Sequence, residues 1–322
     1  MTEENKSLNI VCSPHMSNTS FTSRRMMLDV IIALLPVIAV ALWVFREYAE
    51  KQLLICIGTA LASEALFTAM RKRPFSLLDG SALVTALILA LSLPGTAPWY
   101  VGVIASVIAI SLGKVVFGGL GQNLFNPAMV GRAFVMIAFA GAMGANAYMM
   151  PAGENVIDAM TSATPLTVLK TAGVAELPSL MNLLIGNVNG SLGETSALAC
   201  LLGGIYLCIR RTAAFEIPLA AIITVALLAL GGGVDQVLPH LLGGAFLFGA
   251  FFIATDPVSS PVTPKGRWIF GALFGAIVML LRKLSGYPEG VMFAVLLANG
   301  LAPLINRWTI PTPLGGPIPE RK

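Results

Sequence analysis

SALVTALILALSLP (Ser81–Pro94) and GAFLFGAFFIATDP (Gly244–Pro257) decide how this chain folds. Each is an apolar run of 14 residues that closes on a proline. A straight crossing of a bilayer takes roughly 20 apolar residues, so neither run is long enough alone. Both are followed by a second proline loop and a further hydrophobic span. Matched pairs of short, Pro/Gly-interrupted segments mark the discontinuous helices of inverted-repeat transporters. The two runs are the third and eighth hydrophobic segments of the chain. In a chain of about ten crossings these would run in opposite directions, as an inverted five-plus-five repeat requires. The plainer alternative is that apolar membrane helices resemble one another at this level.

Outward from these runs, hydropathy predicts spans near 27–45, 53–70, 80–94, 98–117, 128–149, 196–209, 215–232, 239–254, 268–284 and 289–306. The fold class is therefore an all-α polytopic membrane protein with about ten transmembrane helices. Composition agrees: of 322 residues, 56% are apolar and only 11% charged, too few charges for a dispersed soluble domain. The expected organisation is an N-terminal tail (1–26), a first five-helix repeat (27–149), a long loop (150–195), a second five-helix repeat (196–306) and a C-terminal tail (307–322). Cys12, Cys56, Cys200 and Cys208 show no CxxC spacing. Cys200 and Cys208 lie roughly 12 Å apart along one helix, too far for a disulfide. No metal centre and no dinucleotide fingerprint are expected in this chain, and nothing in it points to nucleic acid.

Lys and Arg set the expected orientation. With the N-terminus inside, fifteen of the 20 basic residues fall on the cytoplasmic side, and Arg46, Lys51, Lys170, Arg282 and Lys283 fall outside. Both termini are then cytoplasmic, and the connection 150–195 is extracytoplasmic. That connection holds Asp158-Ala159-Met160-Thr161-Ser162-Ala163-Thr164-Pro165-Leu166. Pro165 biases Thr164 towards an extended backbone, and the small Ser162 and Ala163 leave room for a bulky group beside it. The same residues also suit a helix cap or turn.

This stretch resembles the flavinylation motif Asp-x-x-(Ser/Thr)-Gly-Ala-Thr of the Rnf and Nqr membrane complexes. Asp158, Thr161, Ala163 and Thr164 match it, and Ser162 stands where glycine is usual. Other blocks carry the same resemblance: Ser13-Pro14-His15, Met27 to Pro36, Asp79-Gly80-Ser81, Phe125-Asn126-Pro127-Ala128 with Gly131-Arg132, Ala254-Thr255-Asp256-Pro257, and Gly286-Tyr287-Pro288-Glu289-Gly290. It covers about residues 13 to 310, and the length is most similar to that of the Rnf complex's D subunit. The resemblance implies a urea-transporter-like architecture, FMN held on Thr164 through a phosphoester, and a non-covalent riboflavin. It also implies a bacterial or archaeal inner-membrane location, partner subunits carrying iron–sulfur and flavin centres, and a flavin transferase for maturation. The chain would be a subunit of an ion-translocating oxidoreductase, passing electrons through FMN and coupling them to Na⁺ or H⁺ movement, with no catalysis alone. The alternatives are the B subunit of an Nqr-type NADH:quinone pump and a channel or transporter for a small solute.

Ionisable groups at membrane depth are functional candidates. Asp79 and Asp256 sit at the ends of the two short runs, and Glu289 opens the tenth span. These three and Asn126 are candidates for an ion path or flavin pocket, with helix capping as the structural alternative. Asn126 and Arg132 are expected to anchor a re-entrant turn, with a phosphate or lipid headgroup as another partner for Arg132. His240 is expected at the membrane interface. Asn306 stands where the family often has an aspartate.

Overall fold

The computed structural model describes residues 22–72, 77–143, 164–171, 179–186, 188–285 and 289–311. Among these residues there is no strand, and fourteen α-helices follow one another. Two long helices lead, α1 (Ser23–Phe45) and α2 (Glu47–Met70), with Arg46 alone between them. The short α3 (Ser81–Ser92) and α4 (Trp99–Ile110) come next, and α4 widens into a π turn over Ser111–Val115. α5 (Pro127–Ala138) and the single turn α6 (Ala140–Met143) close this half. Two small helices, α7 (Pro165–Thr171) and α8 (Leu180–Ile185), lead into α9 (Ala197–Ile209) and α10 (Glu216–Leu230). Then come α11 (Val237–Leu242) and α12 (Phe246–Phe248), the latter running into a π turn over Gly249–Ile253. The long α13 (Pro264–Leu284) and α14 (Val291–Thr309) end the fold.

Local chemistry sets these boundaries. The side chains of Thr22, Asn126, Ser179, Ser196 and Thr263 accept the first free N–H groups of α1, α5, α8, α9 and α13. Pro127 and Pro264 each occupy the first turn of a helix, where a missing N–H costs nothing. α1, α2 and α14 are long and apolar enough to cross a membrane. Val234–Leu242 with Phe246–Ile253 makes a fourth crossing if taken as one span bent by 61°. α3, α5, α9, α10 and α4 with its π turn are shorter apolar helices. The sequence run 239–254 is thus not one continuous helix: it breaks at Gly243-Gly244, where Gly244 has φ +69°. The outer surface is strongly apolar, with Trp43, Leu54, Ile137, Ile209 and Leu227 all exposed. A soluble monomer does not present so much apolar surface. The chain is a multi-pass membrane protein.

The two halves use the same pairings. In the first, α2 packs on α3 and α4, and α4 on α5; in the second, α10 packs on α11 and α13, and α13 on α14. α1 meets α9 and α5 meets α14 across the halves. At the first of these seams a Cβ added to Gly203 would collide with the Ala33 carbonyl and come within 2.7 Å of Phe252. The seam is closed at one end by Asp29, which is buried and accepts from Arg210 Nε at 3.2 Å and from Thr212 Oγ1 at 2.9 Å.

Gly203→Ala is expected to destabilise the protein by about 1–3 kcal/mol, the usual cost of overpacking. Gly58→Ala, whose added Cβ meets nothing within 4 Å, is expected to be neutral or stabilising. Thermal unfolding in detergent checks the pair; equal responses would mean that α1 and α9 are not in close backbone contact.

Candidate functional site

Thr164 is buried, at 7% exposure, and precedes α7. Its Oγ1 accepts the Thr167 N–H at 3.3 Å and shares a hydrogen bond with the Thr167 hydroxyl at 2.9 Å. The cap reading and the attachment reading thus fall on the same oxygen. α7 packs on α11, and Leu166 seats on the glycine pair: a Cβ at Gly243 would lie 3.5 Å from Leu166 Cδ2. Asp158, Thr161, Ser162 and Ala163 lie outside the described residues.

Beside α7, the break between α11 and α12 frees backbone groups that the helices cannot satisfy. Arg282, reaching from α13, donates to the His240 carbonyl at 2.5 Å and to the Gly243 carbonyl at 3.1 Å. Glu289 accepts the Ala245 N–H at 2.5 Å and lies 3.9 Å from Arg282. The Arg282 guanidinium also lies over the Phe246 ring, 5.9 Å from its centroid. A buried Arg132–Glu194 pair at 3.3 Å stands near enough to act on Glu289 electrostatically. Arg132 therefore pairs inside the protein and not with a headgroup. His240, expected at the interface, is 7% exposed, with no hydrogen-bond partner for Nδ1 among the described residues. Lys170, Gln236, His240, Arg282 and Lys283, with Leu166 and Leu169, line a cleft of about 590 Å³.

A second cavity, partly open to solvent, lies between α3 and the π turn that follows α12. Ser81, Thr85 and Ile88 of α3 face Phe252, Thr255 and Asp256, with Asn126 and Lys114 in the wall. Asp256 accepts from the Val258 N–H at 3.2 Å and the Ser259 hydroxyl at 2.9 Å. Asn126 caps α5 through Ala128 N–H at 3.1 Å. Asp79 accepts the Ser81 N–H at 2.7 Å, while the Ser81 hydroxyl receives Lys114 Nζ at 2.5 Å. Lys114 is buried and also pairs with the buried Glu64. Asp256 and Asn126 thus share one cavity, Asp79 supports its wall, and Glu289 belongs to the other site near Thr164. The capping alternative holds for Asp79 and Asn126, and Asp256 bonds its own loop. Glu64, Lys114, Glu194 and Arg282 were not singled out as site residues from sequence. Each was legible as an ionisable group within or beside an apolar segment, but its partner was not.

The sequence comparisons point one way. Residues 9–315 match the NQR2, RnfD, RnfE family. The D subunit of a Na⁺-translocating ferredoxin:NAD⁺ oxidoreductase complex of Acetobacterium woodii is 42% identical, over 94% of this chain and 93% of its own. The D subunit of an ion-translocating oxidoreductase complex of Halorhodospira halophila is 40% identical over 96% and 97%. The D subunit of a proton-translocating ferredoxin:NAD⁺ oxidoreductase complex of Clostridium ljungdahlii is 38% identical over 95% and 96%.

Lys114→Met leaves the Glu64 carboxylate buried without its lysine, and is expected to cost about 3–5 kcal/mol. The double variant Glu64→Gln/Lys114→Met is expected to recover most of that loss. Unfolding midpoints of the wild type, both single variants and the double variant measure the coupling; additive effects would mean that the two charges act separately.

Proposed function

The chain belongs to the NQR2, RnfD, RnfE family, and from that premise we propose that it is the D subunit of an ion-translocating ferredoxin:NAD⁺ oxidoreductase complex. Such a subunit does no catalysis alone. The observation that carries the reading is identity of 38–42% to D subunits over 94–96% of this chain. It favours the D-subunit reading over an Nqr-type B subunit and over a solitary channel. We further propose that Thr164 carries FMN through a phosphoester, and that a flavin transferase makes the bond. The support is the motif around Thr164 together with the cleft beside α7, where the buried Arg282 Nε–H is open to an acceptor atom. FMN would supply the redox chemistry. The chain's own part is to hold Thr164 at the start of α7, to seat Leu166 on the glycine pair, and to offer Thr167 as a donor beside the attachment oxygen.

The matching helix pairings of the two halves support the inverted five-plus-five repeat, with α3 and α11–α12 as its discontinuous members. We assign the non-covalent riboflavin to the cavity between those members. Its apolar walls with a few polar groups, Thr85, Asn126 and Asp256 among them, suit an aromatic ring system. The orientation proposed places both termini in the cytoplasm and residues 150–195 outside. Lys114, Arg132 and Arg282 are buried and ion-paired, so they are not loop charges. Setting them aside turns fifteen against five into thirteen against four, and the bias stands.

Expressed with its transferase, the wild type should give a fluorescent band on a denaturing gel and a peptide carrying the added FMN phosphoryl unit at Thr164. Thr164→Val should abolish both at unchanged expression; flavin retained on that variant would refute the attachment site. Orientation is tested separately. A cysteine at Glu154 should react from outside intact cells with a membrane-impermeant maleimide, and labelling only after the membrane is opened would reverse the topology.

A further inference from the structure

The hydroxyl of Thr164 is closed off both chemically and sterically. A hydroxyl has one proton and two lone pairs. One lone pair takes the Thr167 N–H at 3.3 Å. The hydrogen bond shared with the Thr167 hydroxyl at 2.9 Å engages either the other lone pair or the proton. Thr164, Pro165 and Leu166 are buried in succession, in a helix that docks on α11. Leu166 is 5% exposed and fills the space over the glycine pair: a Cβ at Gly244 would come within 2.6 Å of its Cδ1. Lys170, at the far end of α7, donates to the carbonyl of Ser285, the C-cap of α13. A helix of seven residues is too short to hold its own shape in isolation, so these contacts set both its form and its place.

We propose that docked α7 shields Thr164 from modification, and that a flavin transferase acts on chains whose α7 has left its seat on the glycine pair. The inference rests on the reading of Thr164 as the attachment point. Attachment forms the bond between Thr164 Oγ1 and phosphorus and breaks the pyrophosphate P–O bond of a flavin dinucleotide. Adenylate leaves, and the hydroxyl proton passes to a base on the transferase. The attacking oxygen must come to about 3–3.5 Å from the phosphorus with a lone pair directed at it. Docked Thr164 offers neither the approach nor the lone pair. Release of α7 breaks the Leu166 and Lys170 contacts and frees the oxygen in the same movement. Docking and modification therefore compete, and the rate of attachment scales with the fraction of chains undocked.

The test uses the full chain, made without the transferase, purified in detergent, and then given purified transferase and flavin adenine dinucleotide. The mass of the Thr164 peptide follows attachment over time. Leu166→Ala removes the side chain seated on the glycines and should speed attachment about tenfold or more, as the undocked fraction grows. A second chain carries Lys170→Cys and Ser285→Cys, with its four native cysteines changed to alanine. A short bis-maleimide with a disulfide in its spacer then locks α7 to α13. Locking should slow attachment at least about tenfold against the unlocked chain, and reducing the spacer should restore the rate. Attachment to the locked chain at the unlocked rate, or a leucine variant no faster than wild type, would overturn the shielding and leave the tether standing. Absence of FMN from Thr164 in wild type and Leu166→Ala alike would overturn both.

Discussion

Arg282 reaches across from α13 to the place where the bent span breaks, and there it replaces the hydrogen bonds that a helix would have made. Inside a bilayer no water is available to satisfy the carbonyls of His240 and Gly243, so non-helical backbone persists only where protein groups meet it. The guanidinium meets both carbonyls, and Glu289 meets the Ala245 N–H on the other side of the break. Gly244 adopts its left-handed backbone at the same point, and a side chain there would run into the Glu289 carboxylate. Without this pair, α11 and α12 could not part at 61°. Leu166 and α7 would have no floor on which to rest.

The first half solves the same problem with different residues. Lys114 projects from the π turn at the end of α4, the counterpart of α13 in the pairing scheme, and binds Ser81 at the head of the short helix α3. In one place a cation at the end of α4 steadies the short α3, and in the other a cation from α13 steadies the break between α11 and α12. Each cation is in turn neutralised by a carboxylate, Glu64 for Lys114 and Glu289 for Arg282. Buried charges of this kind are a weak source of net stability, but removing either partner is costly. They act as fixed joints between helices that are distant in the sequence.

The sequence made the helical architecture and the break points legible because these depend on local signals. Pro94 and Pro257 ended the two short runs and Asn126-Pro127 announced α5, whereas the break at Gly243-Gly244 was passed over and 239–254 read as one span. What stayed hidden was non-local. Arg132 and Glu194 lie 62 residues apart, and Glu64 and Lys114 lie 50 apart, so no short pattern links them. Counting every Lys and Arg as a loop charge misplaced Lys114 and Arg132 for the same reason. His240 read as an interface residue because a polar group near a span end usually is one; the helix bend instead turns it inward, where it is buried. The local reading of Thr164 was a cap, and the structure shows that cap; its reading as an attachment point came only from the family resemblance.

Phenylalanines of the bent span run from Arg282 towards the larger of the two cavities described above. Phe246 lies under Arg282 and is stacked with Phe274, while Phe248 and Phe252, 5.4 Å apart, continue to the wall of the larger cavity. The cavities have no lining residue in common. All four rings are buried, and a hydrated cation would have to shed its water shell to pass among them.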